Sequence, residues 1–172
     1  MPSLTIVSGS PGTGKTTISK ELARRAPGGV HIESDEYYYV IVDLIAPSTP
    51  ESRAQNDTVL TAVARAAAAY YEGGYDVVIE GVIGPWYLPL FVRELGGVDV
   101  DYIVLRTTIE DALERVAVRN APEMEDIVRK MHEPFLDLGP HERNVVETHA
   151  RTIDDIMAEI ARRQTSGEFR LT

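Results

Sequence analysis

The stretch GSPGTGKTT, residues 9–17, constrains the fold of this chain more than any other part of its sequence. Its spacing, Gly-x-x-x-x-Gly-Lys-Thr, is that of a loop whose backbone N–H groups turn inward around phosphate oxygens. In such a loop Lys15 reaches the β and γ phosphates of a nucleotide, and the Thr16 hydroxyl holds Mg²⁺. We therefore predict that the nucleotide is bound by Gly9, Ser10, Pro11, Gly12, Thr13, Gly14, Lys15, Thr16 and Thr17.

The segments on either side of this loop favour the phosphate-binding interpretation over an ordinary glycine-rich turn. The β-branched run LTIVS precedes the loop and predicts a strand. The segment TTISKELARRA follows it with apolar residues at helical spacing. Strand, loop and helix thus occur in the order that a phosphate site requires.

Length and charge limit the classes of protein to which the chain can belong. Its 172 residues predict a single domain over residues 1–172, and the absence of cysteine excludes disulfides and thiolate metal sites. A net charge of −10 opposes binding to nucleic acid or to an anionic membrane surface. Together with the lack of a signal segment or a long apolar run, this predicts a cytoplasmic protein, monomeric or homodimeric, without nucleic-acid or membrane partners.

Strand-like and helical patterns alternate along the rest of the chain. Further strands are predicted in GGVHIES, YDVVIEG, VDYIVLRTT and NVVET. Helices are predicted in DEYYYVIVDLIA, in the long segment from Pro50 to Gly74, around residues 86–94, in IEDALERVAVRN, in EMEDIVRKMHEPFLDLG and in IDDIMAEIARRQ. Five strands separated by helices predict an α/β sheet, mostly or wholly parallel, whose ligands bind at the carboxyl ends of the strands.

Two carboxylates follow predicted strands and are candidates for chemistry. Asp35 could orient an acceptor hydroxyl and take its proton during phosphoryl transfer, or it could simply cap a helix. Glu80 ends the apolar run VVIE, where a carboxylate is costly unless it is solvated or meets a cation. We predict that Glu80 contributes to the Mg²⁺ site with Thr16, or contacts the acceptor.

Two arginines precede a short irregular segment that could act as a lid. Arg115 and Arg119 lie one helical turn apart, just before NAPEME, and the lid is predicted at about residues 119–127. A closing lid would bring these guanidiniums to the phosphates, although an arginine pair on a helix can also belong to a solvated face.

Taken together, these motifs resemble the P-loop kinases of small molecules, a group that includes shikimate and gluconate kinases, chloramphenicol phosphotransferase and the nucleoside monophosphate kinases. The resemblance covers nearly the whole chain and is most specific in GSPGTGKTT, with VVIEG, YIVLR, ERVAVR and VVET following in order. In particular, the sequence looks similar to a branch of bacterial phosphotransferases of uncharacterised substrate.

The resemblance implies a three-layer α/β/α fold with strand order 2-3-1-4-5, and ATP and Mg²⁺ as cofactors. It places Asp35 at the position of the acid that orients the acceptor, and Arg115 and the catalytic Arg119 in the lid. It also implies that the loop containing Thr148 borders the adenine.

The sequence departs from the family at the positions that would define a substrate. Asn120-Ala121 replaces the His-Phe pair of gluconate kinases, and EGVIGPW lacks the glycine triplet of shikimate kinases, so neither substrate can be transferred to this chain. The favoured function is transfer of the γ-phosphate of ATP to a hydroxyl of a small metabolite or antibiotic. The alternatives are an ATP-binding switch or slow ATPase, and a nucleoside or nucleotide kinase.

Overall fold

The computed structural model describes residues 2–118 and 125–171. Five parallel strands form one sheet: β1 (Leu4–Ser8), β2 (Val30–Glu33), β3 (Val77–Glu80), β4 (Val100–Arg106) and β5 (Val145–Glu147). Their order is β2-β3-β1-β4-β5, which confirms the predicted order 2-3-1-4-5. The phosphate loop follows the central strand β1, and the ends of β3 and β4 lie beside it.

Helices cover both faces of the sheet. They are α1 (Lys15–Arg25), α2 (Arg53–Glu72), α3 (Leu88–Glu94), α4 (Ile109–Ala117), α5 (Glu125–His132) and α6 (Ile153–Thr165). On one face α2 and α3 pack against Leu4, Ile6 and Ile79, and on the other α1 and α6 pack against Val7 and Ile103. Because both faces are buried, the strands are nearly continuous apolar runs, as expected of a parallel sheet between two helical layers.

The helix predicted in DEYYYVIVDLIA is absent, and this prediction is wrong. Only a short 3₁₀ turn forms at Ser34–Tyr37, and turns and irregular backbone continue to residue 49. Aromatic and β-branched side chains are poor helix formers, and those that follow Tyr38 have no core to pack against. Tyr39, Val40 and Val42 are 73%, 79% and 96% exposed. The chain returns to helix at α2, after a 3₁₀ turn that begins at Pro50.

The carboxyl-terminal residues complete the sheet in a way that the sequence did not indicate. The N–H of Tyr102 donates to the carbonyl of Phe169, and the N–H of Leu171 donates to the carbonyl of Val100. This antiparallel contact occupies the first half of β4, because β5 pairs only from Val104 onward. The end of the chain therefore covers a strand edge far from the phosphate loop.

Candidate active site

The phosphate loop connects β1 to α1, which begins at Lys15. Gly12 has φ +83°, and a Cβ at this position would lie 2.5 Å from the carbonyl oxygen of Ala112 in α4. Only glycine therefore fits between the loop and α4. The free N–H groups at the start of α1 and the helix dipole favour an anion at this end of the helix.

Ser10 organises the interior of the loop. Its carbonyl oxygen accepts hydrogen bonds from the Lys15 ammonium at 3.0 Å and from the Thr13 hydroxyl at 2.9 Å. Its own hydroxyl lies 3.2 Å from Nδ1 of His132, at the end of α5, and both side chains are buried. Burial lowers the pKa of His132, which favours the neutral imidazole. The sequence offered no signal for this link, because the two residues are far apart in the chain.

A cleft of about 930 Å³ opens on one side of the loop, where the resemblance places the adenine. Arg115 donates to the carbonyl of Gly12 at 3.1 Å, and the Thr148 hydroxyl donates to the carbonyl of Thr13, also at 3.1 Å. Asp111 forms an ion pair with Arg115, and its carboxylate lies 2.9 Å from Nδ1 of His149. Thr13 and Thr17 also line the cleft, so four of the predicted nucleotide-binding side chains border it.

A smaller pocket of about 240 Å³ lies on the other side of the loop. It brings together Lys15 and Thr16 of the loop, Asp35 beyond β2, and Glu80 at the end of β3, and Pro11 also lines it. The carboxyl ends of three adjacent strands meet here, which is why residues distant in sequence share one pocket.

Glu80 is 2% exposed and is the most deeply buried carboxylate of this pocket. Burial raises its pKa, while a hydrogen bond from the Thr16 side chain and the charge of Lys15 lower it. Its Oε1 has no hydrogen-bond partner among the described residues, and Nε2 of His31 lies 3.8 Å away. A buried oxygen without a partner is costly unless a cation or water meets it.

The residues around Glu80 fit Mg²⁺. This ion prefers hard oxygen ligands and is commonly held by one or two protein groups together with waters and substrate phosphates. The Thr16 hydroxyl and the unpaired oxygen of Glu80 supply such ligands next to the loop. Within the described ranges no three His, Cys, Asp or Glu side chains form a metal site by themselves.

Asp35 faces the same pocket from the turn after β2. Partial burial raises the pKa of its carboxyl group, and the charge of Lys15 opposes that rise. Glu33 occupies the N-cap position of the short turn in which Asp35 lies, so Asp35 is not its cap. The geometry therefore leaves its carboxylate available to the pocket.

Two polar residues near strand ends or on α2, Arg106 and Asn56, do not line the small pocket. Arg106 forms ion pairs with Glu142 and Glu147, so it links β4 to the segments before and within β5 instead of entering the pocket. Asn56 is buried and donates to the carbonyl of Pro47, so it anchors the irregular segment and does not face an acceptor. Arg119 lies outside the described residues, as do residues 119–124 of the predicted lid, and the remaining residues 125–127 begin α5.

Known structures show the same fold at low sequence identity. A sugar kinase from Janibacter is 18% identical, with a TM-score of 0.70 over 96% of this chain and 95% of that one. A presumed kinase from Chloroflexus aurantiacus is 21% identical, with a TM-score of 0.68 over 96% and 97% of the two chains. A gluconokinase from Sinorhizobium meliloti is 16% identical, with a TM-score of 0.60 over 96% and 95%. No curated protein matches the chain.

The fold is thus that of the P-loop kinases, which implies nucleotide binding. No helix among the described residues combines the length and apolar character needed to cross a membrane. The model of the AAA domain family matches residues 6–135, from β1 to the turn after α5, and therefore includes the phosphate loop and the smaller pocket, but not the residues after β5 that line the larger cleft. The chain belongs to the AAA domain family.

Proposed function

We propose that the protein transfers the γ-phosphate of ATP to a hydroxyl group of a small molecule. The observation that carries this proposal is the shared pocket in which Lys15, Asp35 and Glu80 lie together beside the phosphate loop. A protein that only binds ATP needs the loop, whereas transfer to an alcohol also needs a carboxylate facing an acceptor.

In the proposed reaction, Lys15 and Asp35 have different roles. Lys15 would bind the β and γ phosphates, and Asp35 would accept a hydrogen bond from the acceptor hydroxyl and then its proton. The acceptor oxygen would form a bond to the γ phosphorus as the bond from phosphorus to the bridging oxygen of ADP breaks. The pocket between these groups is small and partly enclosed, which limits competition from water.

Thr16 and Glu80 would hold Mg²⁺, which when bound would neutralise charge on the transferred phosphate. Arg115 and Thr148 would contact the nucleotide from the larger cleft, where their side chains already bind the loop backbone. Arg119, which comes shortly after α4 in the sequence, would be the lid arginine.

The main alternative is an ATP-binding switch without an acceptor. The pocket occupied by Asp35 favours transfer, since a switch has no need for a carboxylate beside the γ-phosphate. The names of two structural relatives, a sugar kinase and a gluconokinase, also support a small-molecule acceptor. A nucleotide acceptor would need several cations for its phosphate, and among the described residues that line the small pocket Lys15 alone is basic.

A screen for acceptor-dependent ADP release tests the proposal. Purified protein with MgATP would be incubated with hydroxylated metabolites and with aminoglycoside and phenicol antibiotics, and ADP release would be compared with and without each compound. We expect at least one compound to raise ADP release, and we expect Lys15→Ala to abolish the increase. Compound-independent ATP hydrolysis, lost in Lys15→Ala and unchanged by every acceptor, would favour the switch.

A further inference from the structure

His31 lies on β2, between the two elements that carry the proposed Mg²⁺ ligands. Thr16 is in the first turn of α1, and Glu80 ends β3. Nε2 of His31 lies 3.2 Å from the hydroxyl oxygen of Ser19 on α1 and 3.8 Å from Oε1 of Glu80. The side chains of His31 and Glu80 are only 17% and 3% exposed, so water is largely excluded from this contact.

The pairing of β2 with β3 explains why these two side chains meet. The strands are parallel, with His31 opposite Val78 and Glu33 opposite Glu80. Side chains two positions apart on a strand share a face, so His31 points to the same side of the sheet as Glu80 and is its diagonal neighbour. This face is the one that α1 covers, which brings Ser19 to the same place.

The hydrogen bonds around Ser19 determine where His31 carries a hydrogen. Ser19 is buried, and its hydroxyl donates to the carbonyl of Lys15 at 2.6 Å. A hydroxyl group has a single hydrogen, so the Ser19 oxygen can only accept from His31. Nε2 of His31 is therefore an N–H donor, whether the ring is neutral or protonated.

This N–H lies beside the unpaired oxygen of Glu80. Oε1 has no hydrogen-bond partner among the described residues, so the bond that Glu80 receives from Thr16 goes to its other oxygen. A separation of 3.8 Å is too long for a hydrogen bond, but it is short enough for electrostatic attraction in a buried place. The carboxylate is thus held from two sides, by Thr16 and by His31, while the lone pairs of Oε1 stay unused.

We propose that His31 is a positioning residue for Mg²⁺, which holds the carboxylate of Glu80 in its orientation beside Thr16. Ser19 links His31 to the backbone of Lys15, so one row of contacts ties the first turn of α1 to the end of β3. This inference rests on the proposed function, in which Thr16 and Glu80 hold the ion. It requires no knowledge of the acceptor.

Nucleotide affinity with and without metal tests this role. The probe is the non-hydrolysable analogue β,γ-imido ATP, and calorimetry measures its binding in excess Mg²⁺ and in EDTA. The factor by which Mg²⁺ strengthens binding reports how firmly the complex of protein and nucleotide holds the ion. His31→Leu is expected to lower this factor by about tenfold, the lower end of the range for groups that support a metal ligand. Affinity in EDTA should stay close to that of the parent.

Three further variants separate positioning from packing. His31→Gln keeps an N–H near the position of Nε2 and should recover part of the loss. His141→Leu is the matched control, because it replaces a partly buried histidine that packs against Tyr102 on the other face of the sheet, and it should behave like the parent. If His31 acts through Glu80, adding His31→Leu to Glu80→Gln should cause no further loss.

Several results would overturn the proposal: parental strengthening by Mg²⁺ in His31→Leu, equal losses in His31→Leu and His31→Gln, or additive losses in the double variant. An equal loss of affinity in EDTA would also overturn it, because the defect would then lie in the phosphate loop. Each of these results is distinct from failure of the proposed function, which would appear as no ADP release with any acceptor. No strengthening by Mg²⁺ in the parent would overturn the role of His31 together with the Mg²⁺ assignment.

Discussion

The two sides of the phosphate loop differ in how completely they are organised. On the nucleotide side, α4, α5 and the segment after β5 each hold the loop through a side chain, respectively Arg115, His132 and Thr148. On the acceptor side, residues 38–49 have no regular structure and expose Tyr39, Val40 and Val42. Under the proposed function, the nucleotide site would be organised in advance, while the acceptor side would keep apolar surface available for a ligand.

The acceptor side is nonetheless tethered at its far end. The backbone N–H and carbonyl of Ile45 both bond to the side-chain amide of Gln55, at 2.9 and 2.8 Å, and Lys130 of α5 donates to the carbonyl of Ser48. Within the described chain, the backbone of the apolar residues before Ile45 has no comparable hydrogen bond to a side chain. The exposed segment is therefore held at its carboxyl-terminal end, and four variants test how the two sides differ.

The largest effect is expected from Asp35→Asn, on the acceptor side. If Asp35 takes the proton of the acceptor, turnover should fall by about 10²–10⁴-fold while ATP affinity barely changes. Asn has nearly the same shape, and no helix cap is lost, so the melting temperature should stay close to that of the parent. Asp43→Asn, in the exposed segment, is the matched control. Near-parental turnover in Asp35→Asn would leave Glu80 as the next candidate for the acid.

The pH dependence of turnover gives a second test of Asp35. The carboxyl group must be ionised to act as a base, so turnover should rise with pH through its pKa. Burial raises that pKa above the ordinary value of 3.8, while Lys15 lowers it. We expect the acidic limb of the rate profile to lie above 3.8 and to disappear in Asp35→Asn. An unchanged limb in the variant would assign it to another group.

Lys15→Ala tests the nucleotide side and should have the next largest effect. Loss of a charge-assisted contact to phosphate is expected to weaken binding of MgATP by about tenfold to hundredfold, from roughly 1.5–3 kcal/mol. Calorimetry would measure this, with Lys20→Ala, which removes an exposed lysine from the same helix, as the control. Equal affinity in the parent and Lys15→Ala would contradict the phosphate-loop assignment.

His132 tests whether the organised state of the nucleotide side depends on α5. His132→Leu leaves the buried Ser10 hydroxyl without this partner and is expected to lower the free energy of unfolding by about 1–3 kcal/mol. Affinity for MgATP should fall as well, because Ser10 also binds Lys15. His132→Asn places an amide near the position of Nδ1 and should restore part of both losses. Equal losses in both variants would show that packing, and not the hydrogen bond, explains the effect.

Val42→Ser should have the smallest effect and completes the contrast. Val42 is 96% exposed, so its replacement should change the free energy of unfolding by less than about 0.5 kcal/mol. Affinity for MgATP should stay the same, since the residue lies in the irregular segment on the acceptor side. Chemical denaturation would measure the first quantity. A loss of more than about 1 kcal/mol would mean that this segment packs against the protein in solution.

The sequence by itself determined the phosphate loop, the five strands and the strand ends at which Asp35 and Glu80 lie. These features depend on contiguous residues: a glycine pattern that only one backbone path satisfies, and apolar runs that a buried parallel sheet requires. The prediction of a helix after Asp35 was wrong for a related reason. Its residues are apolar, but nothing in the sequence shows whether a core exists to receive them.

Only the tertiary structure decided which side chains meet. Ser10 contacts His132, and Arg106 forms ion pairs that keep it out of the pocket; both interactions join distant parts of the chain. Glu80 keeps one oxygen unpaired among the described residues, which also depends on what packs around it. The same holds for Trp86, which packs against Phe135 although β4 and the three helices α3, α4 and α5 separate them in the chain. Local propensity specifies where an element begins and ends, but the direction of a side chain across the sheet depends on packing between elements.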